Sequence, residues 1–279
     1  MKRICVLFLP LVSIAAFAQS GKIALKKGQH FVVESKTDGN VTQEMMGQSM
    51  EMTIGTTTKM KADVKDSKDN NYTITQTITN IKSNFSGMGQ EKTFDSDKKE
   101  DLDGEAGAIY KDKLNIPKDI VVTSEGKSIV NITDTSKKGG DANPMAAMMD
   151  MMGGGQDNAA ATLFLVIPAG KKVGDTWQDS TSNDGVKLKR TYTLNSIANK
   201  EASVSVNGIL DISKTMQVQG MDMNMVMASK IVSTSLVDVA SNIQKENKST
   251  TTVTGTIDVM GQSVPVKSTV TTLTTVKVL

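Results

Sequence analysis

One cysteine, one histidine, one tryptophan and five prolines are all that this 279-residue sequence contains of those residue types, and aromatic residues make up 4% of it. Each scarcity removes a class of function. The single cysteine, Cys5, sits inside an amino-terminal apolar run, so no disulfide framework, thiolate zinc site or cysteine nucleophile is available to the rest of the chain. Triad chemistry would have to pass through His30, whose place between Gln29 and Phe31 reads as a polar position at a strand edge. The only arginines are Arg3 and Arg190, and 32 basic residues are balanced by 30 acidic ones, which excludes the basic patch that meets nucleic-acid phosphates. With so few aromatics, the interfacial girdles of a membrane-spanning β-barrel have nothing to be built from.

No long hydrophobic run is present after the first twenty residues. Those residues, MKRICVLFLPLVSIAAFAQS, carry Lys2 and Arg3, an apolar stretch from Ile4 to Phe17 and the small-x-small pattern Ala16-Phe17-Ala18. This is the pattern of a secretory signal peptide over residues 1–18, cleaved after Ala18, and it predicts a periplasmic or extracellular protein. The run is shorter than the roughly 20 residues needed to span a bilayer. Cys5 lies at its start rather than at the cleavage site, so no lipid anchor is expected.

What the sequence does have is alternation. YTITQTITNI (Tyr72–Ile81), DIVVTSEGKSIVNIT (Asp119–Thr133) and VPVKSTVTTLTTVKVL (Val264–Leu279) place threonine, valine and isoleucine at every second position. An all-β, mainly antiparallel protein follows, with long, strongly curved sheets or an open half-barrel. Met221 to Ala240 should pair with Gln244 to Val259. Three hairpins are expected from Gly-polar turns. Gly47-Gln48 would set Met45 against Met50 and Val41 against Ile54; Gly261-Gln262 would set Val259 against Val264; Gln219-Gly220 would set Val218 against Met221. MGQS occurs at Met46–Ser49 and again at Met260–Ser263, and KKGQHF (Lys26–Phe31) matches KVGDTW (Lys172–Trp177) in its Lys-x-Gly-x-x-aromatic pattern. Two similar β halves, 19–135 and 169–279, are therefore expected. A Met/Gly-rich linker over 136–168 would join them, with a short helix started by Asn143 and Pro144.

Methionine is the surplus, at 18 residues. In MDMNMVM the residues Met221, Met223, Met225 and Met227 share one face of a strand. Three readings of these positions compete. They are plain core; or, with Met50, Met52, Ile54 and Met216, they line a pliable apolar site for a lipid, with Met145, Met148, Met149 and Met152 as a lid; or Met221, Met223 and Met225 hold Cu(I). The charged run Glu91–Glu105 reads as a solvated loop, and its Asp95, Asp97, Asp101 and Asp103 lack the calcium-loop spacing. No cofactor is called for.

The segments KKGQHF, VTQEMMGQSMEM (Val41–Met52), TKMKADV (Thr58–Val64), NNYTITQTITNIKSN (Asn70–Asn84) and LFLVIPAGKKVGDTW (Leu163–Trp177) together resemble an uncharacterised exported family of Gram-negative bacteria, a domain of unknown function. The resemblance implies a β-rich envelope protein and supplies no activity and no catalytic residues. It also implies lipoprotein relatives, a feature this sequence departs from. Gly28, Phe31, Val173, Gly174, Asp175 and Trp177 read as structural: tight turns feeding strands whose aromatics fill the core.

Overall fold

A computed structural model describes residues 21–129 and 162–279, apart from positions 46–47, 88, 112, 184, 219–220 and 260–261. The signal peptide and the methionine helix with its lid residues Met145, Met148, Met149 and Met152 lie outside the described residues.

The alternating segments form strands β1 (His30–Met45), β2 (Gln48–Lys68), β3 (Asn71–Gly87), β4 (Gln90–Asp95), β5 (Lys118–Thr123) and β6 (Ser128–Ile129). Beyond the linker come β7 (Thr176–Asn183), β8 (Val186–Ala198), β9 (Glu201–Val218), β10 (Met221–Asp238), β11 (Gln244–Val259) and β12 (Gln262–Val278). They make one twelve-stranded sheet in the order β6-β5-β3-β2-β1-β12-β11-β10-β9-β8-β7, with β4 paired to the far half of β3. All ladders between these strands are antiparallel. The sheet is open and curved, and among the described residues its terminal strands β6 and β7 do not pair with each other. Both β halves thus belong to one sheet, joined where β1 meets β12.

The hairpin turns explain the long, regular ladders. Asp69 and Asn70 link β2 to β3 with φ of 53° and 62°, and Asn199 and Lys200 link β8 to β9 with φ of 51° and 66°. Two consecutive left-handed residues define the type I′ turn, whose twist matches that of the flanking strands. The Gln219-Gly220 hairpin has the expected register, with Val218 opposite Met221. The two MGQS hairpins are corrected by two positions: Met45 faces Gln48 with Val41 opposite Met52, and Val259 faces Gln262. Gln48 and Gln262, expected in the turns, are thus already paired in the ladders. A shift of two preserves the pleat, so the same side chains still share a face.

The concave face is filled from one end. Phe31, Val33, Ala62, Val64, Ile74 and Val276 pack beneath Ile23, Leu25, Leu163 and Phe164. Leu165 and Ile167 cover Tyr192, Leu194, Val204 and Val237 farther along the sheet. Two irregular segments, 22–25 and 163–167, therefore cap the sheet, and buried Asn242 ties both down. Its Nδ2 donates to Lys22 O at 2.8 Å, and Ile167 N donates to its Oδ1 at 3.0 Å. The charged run is corrected in part: it holds most of β4 and the short helix α1 (Lys99–Asp103), and its last residue starts a second short helix, α2 (Glu105–Tyr110). Leu102 and Tyr110 from these helices pack on Ile78, Ile81 and Phe94, with Tyr110 stacked on Phe94 at 4.7 Å.

Candidate functional site: a methionine-lined trough on the concave face

At the opposite end of the concave face, near the MGQS hairpins, no such cap is present among the described residues. There Val41, Met52, Met225, Met227, Ile257 and Val266 form a buried cluster bordered by Met223, Phe85, Ile212 and Val253. The register explains the grouping. Val41 pairs with Met52, Gln43 with Val266, Val266 with Gly255, Gly255 with Met227, and Met227 with Ile212. Of the residues expected to line the site, Met52, Met223, Met225 and Met227 are in this cluster. Met50 and Ile54 are half-buried two positions to either side of Met52 in β2. Met216 and Met221 occupy the strand positions opposite Met223 and Val218, and their side chains lie outside the described residues.

Glycines give the methionines their room. A β-carbon placed on Gly87 would lie 2.7 Å from Met52 Cγ, and one on Gly255 would lie 3.0 Å from Met227 Cγ and 2.2 Å from Val226 O. Each thioether thus rests over a neighbouring strand's glycine, a close approach that any larger residue would block. Flexible side chains lying over bare backbone make a shallow, adaptable apolar floor.

Charge is segregated by face. On the inner side of the five central strands, the described residues from Phe31 to Gln43, Met50 to Val64, Met223 to Val237, Asn247 to Ile257 and Gln262 to Val276 are all uncharged at alternate positions. Glu34, Lys36, Lys59, Lys230, Lys248 and Lys267 occupy the intervening outward positions. An apolar floor with a charged exterior is the reverse of a transmembrane barrel, whose apolar band faces outward. Between the floor and the capped end runs a hydroxyl band, in which Ser35 Oγ meets Thr274 Oγ1 at 2.9 Å and Thr37 Oγ1 meets Thr272 Oγ1 at 3.1 Å.

A second polar cluster, which the sequence reading did not single out, marks the β7–β8 edge. Asp179 accepts from Arg190 Nε at 2.9 Å, from Arg190 Nη2 at 2.8 Å and from Tyr192 OH at 2.8 Å. Tyr192 stacks face to face with half-buried Trp177, their rings 5.2 Å apart. Burial, and then the Asp179 hydrogen bond, push the Tyr192 hydroxyl well above its ordinary range, beyond what the opposing Arg190 charge recovers. Burial is the largest single effect on Arg190 and works against its charge, but the Asp179 hydrogen bonds together with the charge interactions of Tyr192 and Asp179 outweigh it and hold the guanidinium more firmly protonated. With both of its oxygens engaged, Asp179 joins two strands. Gly174, at φ 93°, forms the turn before β7, and its N–H donates to Leu194 O at 2.8 Å, in keeping with the structural role expected of that segment. His30 is the first residue of β1, with Nδ1 at 2.5 Å from Asp63 across the ladder.

Among the described residues no group of three or more His, Cys, Asp or Glu is placed to hold a metal ion, and no helix is long and apolar enough to cross a membrane. Asp101, one of the four aspartates weighed for calcium, instead accepts a hydrogen bond from Asp95 N at 2.7 Å.

No curated protein matches the chain. Among solved structures, it is similar to lipovitellin, in a structure concerned with lipid–protein interactions, at 14% identity and a TM-score of 0.50 over 91% of this chain. The match covers 26% of the lipovitellin chain, so this protein spans about a quarter of that relative's length. An outer-membrane channel from Pseudomonas putida F1 aligns at 10% identity and a TM-score of 0.35, covering 93% of this chain and 98% of that one. A family model matches residues 69–244, from the β2–β3 turn to the start of β11, and on that match the chain belongs to a family of unknown function, DUF6263.

Proposed function

We propose that this protein is a non-enzymatic, exported binding protein that holds a lipid or similar apolar molecule against the concave face of its sheet. The observation that carries this reading is the cluster of Val41, Met52, Met225, Met227, Ile257 and Val266 on the inner side of an open sheet whose five central strands carry their charges on the outer side. A concave, mostly apolar surface is where small ligands bind. Thioethers on one wall suit a ligand of variable shape, because they repack at little cost. Lipovitellin, whose structure concerns lipid–protein interactions, shares the fold and supports the same reading. The scarcity of cysteine and histidine, one of each, argues for binding rather than turnover.

The test is native mass spectrometry of protein taken from its own host's envelope without detergent, alongside the Met223→Glu/Met225→Glu variant. A bound mass in the lipid range that the variant loses, with its β circular dichroism intact, supports the carrier. A mass increment of copper that disappears on Met→Leu substitution would replace it with Cu(I) binding by the same residues. A bare chain would reduce the cluster to ordinary core.

A further inference from the structure

Within the carrier reading, on which this inference rests, we infer that the ligand is an amphiphile with an uncharged, hydrogen-bonding head, and that the Ser268 hydroxyl makes its first polar contact. Ser268 lies on β12 between Val266 and Val270 on the inner face. Its partners across the two ladders are Val41 on β1 and Val253 on β11. Those two and Val266 belong to the trough cluster or border it. The residue is 2% exposed, and its Oγ has no hydrogen-bond partner among the described residues. A buried hydroxyl left unpaired costs free energy that valine or alanine at the same position would not incur. A ligand hydroxyl, ester or amide oxygen at this point would satisfy it.

The charge pattern sets the kind of head. None of the described inner-face residues on the five central strands is charged, so a carboxylate or phosphate held at Ser268 would be desolvated without a counter-ion, which is costly. The inner-face charges nearest this surface lie on strands beyond these five, and Lys214, between Ile212 and Met216, stands beside the trough opposite Met225. Arg190 is already engaged by both oxygens of Asp179. Lys214 faces Met225 on β9, three strands from β12, or roughly 14 Å at the usual strand spacing. Along β12 in the other direction, Thr272 and Thr274 offer more hydroxyls. A neutral polyol or ester head therefore has donors and acceptors to meet, with its tail over Met52, Met225 and Met227.

Monoolein and oleate share one acyl chain and differ in head charge, so the full exported chain is titrated with each, using native mass spectrometry and displacement of an apolar fluorescent dye. Monoolein is expected to bind at least about tenfold more tightly than oleate at neutral pH. Ser268→Ala should weaken monoolein roughly fivefold, the worth of one hydrogen bond, leave dye binding unchanged, and fold normally because it removes an unpaired group. Ser268→Thr, which keeps the hydroxyl, should retain most of the affinity. Oleate binding equal to or tighter than monoolein, or a Ser268→Ala variant that binds monoolein as the parent does, overturns the inference while leaving the carrier intact. Failure of monoolein, oleate and the dye alike to bind overturns both.

Discussion

Replacing Asn242 tests how the sheet is capped. The side chain is 1% exposed, sits at φ 57°, and joins the segment at Lys22 to the one at Ile167 through two hydrogen bonds. Asn242→Ala leaves the N–H of fully buried Ile167 without an acceptor, at about 1–3 kcal/mol. Lys22 is exposed, so water can replace the donor to its carbonyl, and that loss is at the low end, about 0.5 kcal/mol. Holding a residue with a β-carbon in the left-handed region adds roughly 1 kcal/mol once the asparagine's local bonding is gone. The expected destabilisation is about 3 kcal/mol, or roughly 6–12 °C in Tm for a domain of this size. Urea unfolding followed by circular dichroism gives the free energy, and amide exchange should show residues 22–25 and 163–167 opening before the strands. Asn242→Asp keeps the acceptor for Ile167 but buries a carboxylate against Lys22 O, so at neutral pH it should cost at least as much as alanine, while Asn242→Gly removes the backbone strain and should recover about 1 kcal/mol relative to alanine. A loss below about 1 kcal/mol for Asn242→Ala, with unchanged exchange in both segments, would refute the capping argument.

Two further outcomes follow from particular contacts. Gly255→Ala should destabilise by roughly 2–3 kcal/mol, because its β-carbon meets Val226 O at 2.2 Å and backbone cannot yield cheaply, whereas the nearest atoms to a β-carbon on Gly87 are all in side chains, Met52 Cγ at 2.7 Å with Met52 Cβ and Phe85 Cζ at 3.2 Å, and Gly87→Ala should cost under about 1.5 kcal/mol; equal losses in thermal unfolding would contradict this. Asp95 is held below its ordinary carboxylate range first by the Lys82 hydrogen bond at 2.8 Å and then by the Asp97 N–H at 3.0 Å. Its stabilising contribution is therefore present above the unfolded value of 3.8 and is lost as pH falls through the lower folded value, so Asp95→Asn should flatten the acid limb of a stability–pH curve.

The sheet was legible because its signal is local. Threonine, valine and isoleucine at alternate positions specify strands and faces, and the face of Met225, Met227, Ile257 and Val266 was correct even where the register was not. The error of two positions at both MGQS hairpins came from taking Gly47-Gln48 and Gly261-Gln262 as the turns, whereas both glutamines pair as the first residues of β2 and β12. What the sequence did not disclose is long-range. Pairing of β1 with β12 joins Phe31 to Val278, and nothing near either residue announces the other. Asn242 reads as a turn residue, and its hold on Lys22 and Ile167 depends on two segments far away in the chain. Likewise the partnerless hydroxyl of Ser268 looks, in sequence, like any serine in a threonine-rich strand.

The seam between β1 and β12 also sets the order in which this protein can fold. Residues 31–43 lie in register with residues 266–278, so the middle of the sheet is built from the two most distant parts of the described chain. Each set of neighbouring hairpins can zip locally, but the cluster that contains both Phe31 and Val276 cannot close until the last strand is available. High contact order of this kind slows folding and leaves β1 and β12 with exposed edges in the interval. A chain emerging from a ribosome or a translocation pore would thus remain unfinished until its final strand arrives, and commitment to the native sheet is a late, single event at its centre.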